Sequence, residues 1–159
     1  MQKMPLRYLG FIFMLWLGPS CFAQAVTIRV INANDHRPLR NQLVRVARLY
    51  DKGETTPEKF EAESSFQTDA NGEAHFALPE PPPAHIDVRV RLERGRWHCG
   101  CLLLAVAQDI MNRGIVESAA SADELKRSPD LVKAVPGEIR FVVRPASFWE
   151  RLLYPFVKG

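Results

Sequence analysis

The chain has 159 residues, with 21 basic and 18 acidic side chains, a net charge of +3 and 47% hydrophobic residues. That length fits one domain, and so small a basic excess excludes a nucleic-acid binder that works by neutralising many phosphates. Beyond the N-terminus there is no second long apolar run, so the rest of the chain offers no membrane-crossing helix.

The first residues read as an export signal. Lys3 and Arg7 form a positive start, and Tyr8 to Gly18 is an apolar run of eleven residues, too short for a bilayer helix but suited to a signal core. Ala23-Gln24-Ala25 supplies the small-x-small pattern of signal cleavage, so residues 1–25 are read as a signal peptide and the mature chain starts near Val26. Cys21 raises lipidation, but Gly18 stands where that processing wants a leucine-like residue. Lys3 and Arg7 are two of the 21 basic residues, so the mature chain carries 19 against 18 acidic ones and is nearly neutral. The expected location is the periplasm, cell envelope or exterior.

Strand patterns dominate from there. Val26, Ile28 and Val30 alternate with polar residues, and Asn32 to Pro38 is a turn cluster. Leu43 to Tyr50 is the second strand, Phe60 to Thr68 a weaker third, and Glu73 to Leu78 the fourth. Pro79 to Pro83 is a stiff connector, since proline donates no ladder hydrogen bond. Ile86, Val88, Val90 and Leu92 then alternate with Asp87, Arg89 and Arg91. Trp97 to Val106 is expected as a further strand, buried on both sides from Leu102 onward.

Val106 to Arg113 reads as a short helix closed by Gly114, and Ser121 to Glu124 is a capping box opening another. Ile139, Phe141 and Val143 mark the last strand. The expected fold is mainly β: an antiparallel immunoglobulin-like or transthyretin-like β-sandwich over residues 26–145. A short helical insertion precedes the last strand, and residues 146–159 form an amphipathic aromatic C-terminal segment with a helical turn.

Three features carry possible chemistry. In "TDANGEAHFAL", Asp69, Asn71 and Glu73 take positions 1, 3 and 5 of a calcium loop, with Glu80 at position 12. Position 6 is Ala74 rather than glycine, and the following residues alternate as a strand, so a hairpin turn is expected instead. Asp69 and Asn71 would make its side-chain bonds, and Gly72 would supply a positive φ. Cys99 and Cys101 are the mature cysteines. On a regular strand their Cα atoms would be about 6.6 Å apart, near the upper limit for a bridge. A disulfide, intermolecular or reactive thiols, a metal site with His98, and inert burial all remain open. Finally, Phe148 and Leu152 share one helical face and Trp149 and Leu153 another. With Trp97 and Phe156 they form the candidate interaction surface for a partner or, peripherally, a membrane, unless the segment docks on its own sandwich. Arg89, Arg91, Arg94 and Arg96 read as a solvated face balanced by Asp87 and Glu93, and His36, His75, His85 and His98 fall in or beside turns.

Two stretches resemble a known family. Val26 to Val46, with its Pro38-Leu39 step into a second strand, and "TDANGEAHFALP" are similar to carboxypeptidase regulatory-like domains, which have a transthyretin-like sandwich. The resemblance covers roughly residues 26–92 and implies a non-catalytic module of secreted and envelope proteins. Hydroxyisourate hydrolase, an enzyme on a similar fold, has a catalytic histidine where Arg29 stands and ends in Tyr-Arg-Gly-Ser, which Tyr154 to Gly159 lacks. The expectation is therefore a non-enzymatic accessory module without cofactor or metal, binding another envelope or secreted protein. The alternatives are a thiol-redox or metal-dependent protein at Cys99 and Cys101, or a hydrolase in which His75 or His85 meets a carboxylate.

Overall fold

The computed structural model describes residues 24–50, 59–92, 97–98 and 102–148. Two sheets enclose the core. The first runs β4 (Glu73–Leu78), β1 (Gln24–Asn32), β9 (Glu138–Pro145), β6 (Trp97–His98), with β8 (Ile115–Ser118) also pairing β9. The second runs β3 (Lys59–Gln67), β2 (Leu43–Tyr50), β5 (His85–Arg91), β7 (Leu102–Val106). This is the β-sandwich the strand spacing implies, with one refinement. β9 lies parallel to both β1 and β8, so the first sheet is mixed rather than antiparallel throughout.

The period-two alternation decides what is inside. Val26, Ile28, Val30, Ala74, Phe76, Leu78, Ile139, Phe141 and Val143 point inward from the first sheet and meet Val44, Val46, Ile86, Val88 and Val90 from the second. Burying each such large side chain contributes about 1.5–3 kcal/mol. Helix α1 (Ala107–Arg113) sends Ala107 and Ile110 into the same core. It stops at Gly114, whose φ of +70° suits glycine and where an added Cβ would lie 2.8 Å from Ala134 Cβ.

A smaller cluster covers part of the first sheet's outer face: Ala33, Leu131 and Val142, flanked by Ile31, Val116, Ala120 and Leu125. It is roofed by α2 (Ala122–Arg127) and the 3-10 turn Pro129–Val132. The α2 capping box is complete: Ser121 Oγ accepts from the Glu124 N–H, and Glu124 Oε2 accepts from the Ser121 N–H at 2.6 Å. Since α2 buries none of its residues fully, its cap matters more than its packing. Ser121→Ala is expected to cost about 1 kcal/mol, read as a lower denaturation midpoint at unchanged slope.

The stretch from Trp97 to Val106 departs from expectation. It is not one strand: β6 joins the first sheet and β7 the second. Nor is it buried on both sides, because β7 is an edge strand among the described residues and its outer residues Leu102, Leu104 and Val106 are exposed. The four-residue β8 carried no recognisable strand pattern. In the Asn32 to Pro38 turn the positive φ falls on His36, while Asn32 and Asp35 accept bonds from the N–H groups of Asn34 and Arg37. Among the described residues no helix is long and apolar enough to cross a membrane.

Candidate functional site: the polar face of the first sheet

The outer face of β4, β1 and β9 carries a continuous row of polar side chains. Strand pairing sets Thr27 beside His75, Arg29 beside Glu73, and the β9 residues Glu138 and Arg140 beside Thr27 and Arg29. The "TDANGEAHFAL" stretch enters this row from one end.

Its turn is built by Asp69, whose Oδ1 accepts from the N–H groups of Asn71 at 2.8 Å and Glu73 at 2.9 Å. Gly72 has φ +71°, and its carbonyl accepts from the Val30 N–H at 2.9 Å. A Cβ there would come within 2.7 Å of the Val30 carbonyl oxygen, so the turn presses on β1 too closely for a side chain. Buried Thr68 ties the same turn to the β1–β2 connection: its hydroxyl donates to the Leu39 carbonyl and accepts from the Gln42 N–H. The turn residues Asp69, Asn71 and Gly72 do not close a hairpin, however. β3 pairs β2 and β4 pairs β1, so the turn carries the chain from one sheet to the other.

The two N–H groups, that of Glu73 first, hold the Asp69 carboxyl below its ordinary range. A carboxyl lowered on folding adds stability above its unfolded value of 3.8 and loses it as the pH falls through the folded value. Asp69→Asn keeps the acceptor oxygen but not the charge. The variant is therefore expected to melt below the wild type at about pH 6, and the gap to narrow by about pH 3, as the pH falls toward the lowered folded value. Thermal melts at the two pH values check this.

The carboxylates beyond the turn are each held by arginine. Arg29 Nε and Nη2 both donate to Glu73 Oε1, the former at 2.9 Å. Glu138 is buried, with its side chain only 4% exposed. It accepts from Arg140 Nε at 2.9 Å and from the Val135 N–H at 3.1 Å, and Arg29 Nε lies 3.7 Å away. Arg140 also donates to the Asp130 carbonyl at 2.8 Å. A shallow cleft of about 150 Å³ opens here, lined by Thr27, Arg29, Glu73, Glu138 and the Val135–Gly137 loop.

His75 projects from the edge of this row, more than half exposed. Its Nδ1 is 3.1 Å from Thr27 Oγ1 and its Nε2 is 3.6 Å from Glu73 Oε2. A hydroxyl, an imidazole and a carboxylate thus stand in the order of a nucleophile, its base and an orienting acid. The imidazole–carboxylate separation exceeds a hydrogen bond, and Arg29 already engages that carboxylate. Asp69, Glu73 and His75 also bring one ligand atom each within 4.8 Å of one another. A cation there would compete with Arg29 for Glu73 and with the turn for Asp69. Glu80 lies beyond the far end of β4, roughly 20 Å along the strand rise from Glu73, so one calcium ion could not take oxygens from both.

Of the other sequence candidates, Cys99 and Cys101 lie outside the described residues. The continuous strand on which their separation was judged is interrupted, since β6 and β7 belong to different sheets. Trp97 pairs Pro145 through its backbone at the end of the first sheet. Phe148 follows β9 and is 71% exposed, whereas Trp149, Leu152, Leu153 and Phe156 lie outside the described residues. Arg89 is held by Asp87 at 2.6 Å, as expected of a balanced face. The buried pair Glu138–Arg140 went unnoticed in the sequence, although opposite charges two apart on a strand share a face and could have signalled it.

No family model and no curated protein matches the chain. Among solved structures it is similar to the shaft pilin SpaA of Lactobacillus rhamnosus GG. The crystal structure of that pilin is 11% identical, with 78% of this chain and 51% of that chain covered at a TM-score of 0.41. A mutant of the same pilin is 13% identical, with 78% and 47% covered at the same TM-score. This chain therefore spans about half of the pilin's length.

Proposed function

We propose that this chain is exported and works in the periplasm, cell envelope or exterior as a non-catalytic β-sandwich module that binds another envelope or secreted protein. Phe148 carries the reading: a large aromatic side chain, mostly exposed, directly after the last strand. It heads the apolar run through Trp149, Leu152, Leu153 and Phe156, and clustered aromatics of this kind form the centres of protein interfaces. The export signal read in residues 1–25 and the resemblance of residues 26–92 to carboxypeptidase regulatory-like domains point the same way. So does the polar face, where Glu73 and Glu138 are both engaged by arginines.

Cross-linked pull-down from native envelopes tests it, with the full chain set against Phe148→Glu/Leu152→Glu. The expected result is loss of a specific partner at unchanged circular dichroism. Equal capture of the same proteins by both chains would sink the reading.

A second reading is supported by one observation, the Thr27–His75–Glu73 order. It makes the chain a hydrolase on this sandwich, with Thr27 as nucleophile and His75 as its base. An activated-ester assay decides between them. Turnover that disappears in both Thr27→Val and His75→Ala would favour the hydrolase, and turnover untouched by either would remove it.

A further inference from the structure

A second cleft lies where the Asn32 to Pro38 turn meets the end of α2. Its volume is about 320 Å³, roughly twice that of the cleft beside Glu138. It is lined by Ala33, Asn34 and His36 from the turn, and by Glu124, Arg127 and Ser128 from α2 and its C-cap. Volumes from about 300 Å³ upward are those of small-molecule sites. Both walls are pinned by backbone bonds. The His36 N–H donates to the Asn32 carbonyl and the Asn32 N–H to the Arg37 carbonyl, each at 2.9 Å, while the Ala33 N–H donates to the Val143 carbonyl at 2.7 Å. Opposite, Glu124 and Arg127 stand three apart on one helical face, and the Ser128 N–H donates to the Glu124 carbonyl at 3.0 Å. His36 is held at φ +58°, a conformation uncommon outside glycine, and such conformations gather where a side chain must be aimed at a ligand.

The acids around this cleft are engaged, and its donors are not. Glu124 Oε2 accepts from the Ser121 N–H at 2.6 Å and the Ser121 hydroxyl at 2.7 Å. The nearby Asp130 carboxyl accepts from Lys133 Nζ at 2.7 Å, and is held low by Lys133 first and more weakly by Arg140 and His36. Arg127 uses only Nε, on the Asp123 carbonyl at 3.2 Å, and forms no ion pair among the described residues. Nor do the side chains of Asn34, His36 and Ser128 make a hydrogen bond among those residues. We propose that the cleft binds a small ligand through one carboxylate. The two Nη groups of Arg127 take that carboxylate as a fork, and Asn34, His36 and Ser128 bond the polar groups beside it. A single arginine set between Glu124 and Asp130 suits one negative charge better than the two of a phosphate monoester. With Ala33 as its one apolar lining residue, the cleft fits a polar acid rather than a fatty one.

This goes beyond the partner reading, since it draws on neither Phe148 nor the residues after it, and either can fail alone. The test follows the His36 ring signals of the full chain by NMR. They are assigned by their loss in His36→Asn, a replacement that tolerates the same positive φ. N-acetylalanine, N-acetylalanine amide, sodium galacturonate and inorganic phosphate are titrated in turn at constant ionic strength. The expected result is a saturable shift with one or both acids and none with the amide. Arg127→Gln should weaken that binding about tenfold or more at unchanged circular dichroism. Saturation by one acid alone supports the site and tells an amino-acid ligand from a sugar acid. Equal shifts with acid and amide, undiminished binding in Arg127→Gln, or no saturation by either acid up to about 50 mM would each overturn it. Tighter binding of phosphate than of either acid would overturn the carboxylate assignment.

Discussion

Replacing Phe141 with alanine is expected to lower the unfolding free energy by about 3–5 kcal/mol, a large fraction of the roughly 5–15 kcal/mol that holds a domain together. Phe141 is the largest fully buried side chain among the described residues and sits at the middle of β9, paired with Val30 on one side and Glu117 on the other. Neighbours fixed by two strand ladders cannot collapse into the space a phenyl ring leaves. The cavity cost therefore adds to the lost transfer energy. In a thermal melt the midpoint should fall by roughly 10–20 °C. Leu102→Ala removes an exposed side chain from the edge strand, and should stay within about 0.5 kcal/mol of the parent. If the two variants melted alike, the assignment of β9 to the centre of the core would be wrong.

Glu138→Ala is expected to cost about as much, roughly 3–5 kcal/mol, for an electrostatic reason. The substitution strands the Arg140 guanidinium, whose side chain is 13% exposed, and leaves the Val135 N–H without its acceptor. Arg29 suffers less, because it is 39% exposed and keeps Glu73. Most of the loss is thus the cost of an unpaired buried charge rather than the strength of the pair. Replacing both Glu138 and Arg140 by methionine should recover a good part of it. Urea denaturation of the single and double variants measures this, and a double variant as unstable as the single one would show that the pair itself is strongly stabilising.

The inner faces were legible in the sequence wherever alternation was clean. Val26, Ile28 and Val30, Ile86, Val88 and Val90, and Ile139, Phe141 and Val143 all read as buried and are buried. The Ser121 capping box and the Gly114 stop were legible too, because each is decided by a few adjacent residues. What failed was anything set at long range. The bonds Asp69 makes would look the same in a hairpin, so local turn chemistry could not reveal that β3 and β4 belong to different sheets. Leu102, Leu104 and Val106 read as buried because apolar runs suggest central strands, and only the sheet order shows β7 to be an edge. The polar row was legible residue by residue but not as a group, since β4, β1 and β9 meet only in the fold.

The parallel pairing of β9 with β1 bears on when this molecule can fold. The first strand lies between β4 and β9, so its second neighbour is the last of the described strands to be synthesised. Until β9 arrives, β1 and β8 have no common partner, and the inward faces of the first sheet have no centre to assemble on. Pairing over so long a stretch of chain is slow, because the loop must close before any contact rewards it. A chain passed through a membrane from its N-terminus would therefore stay pliable until β9 had crossed. By the same logic, a polypeptide cut short before Glu138 is not a smaller sandwich but an open chain with exposed strand edges, prone to pair with its neighbours.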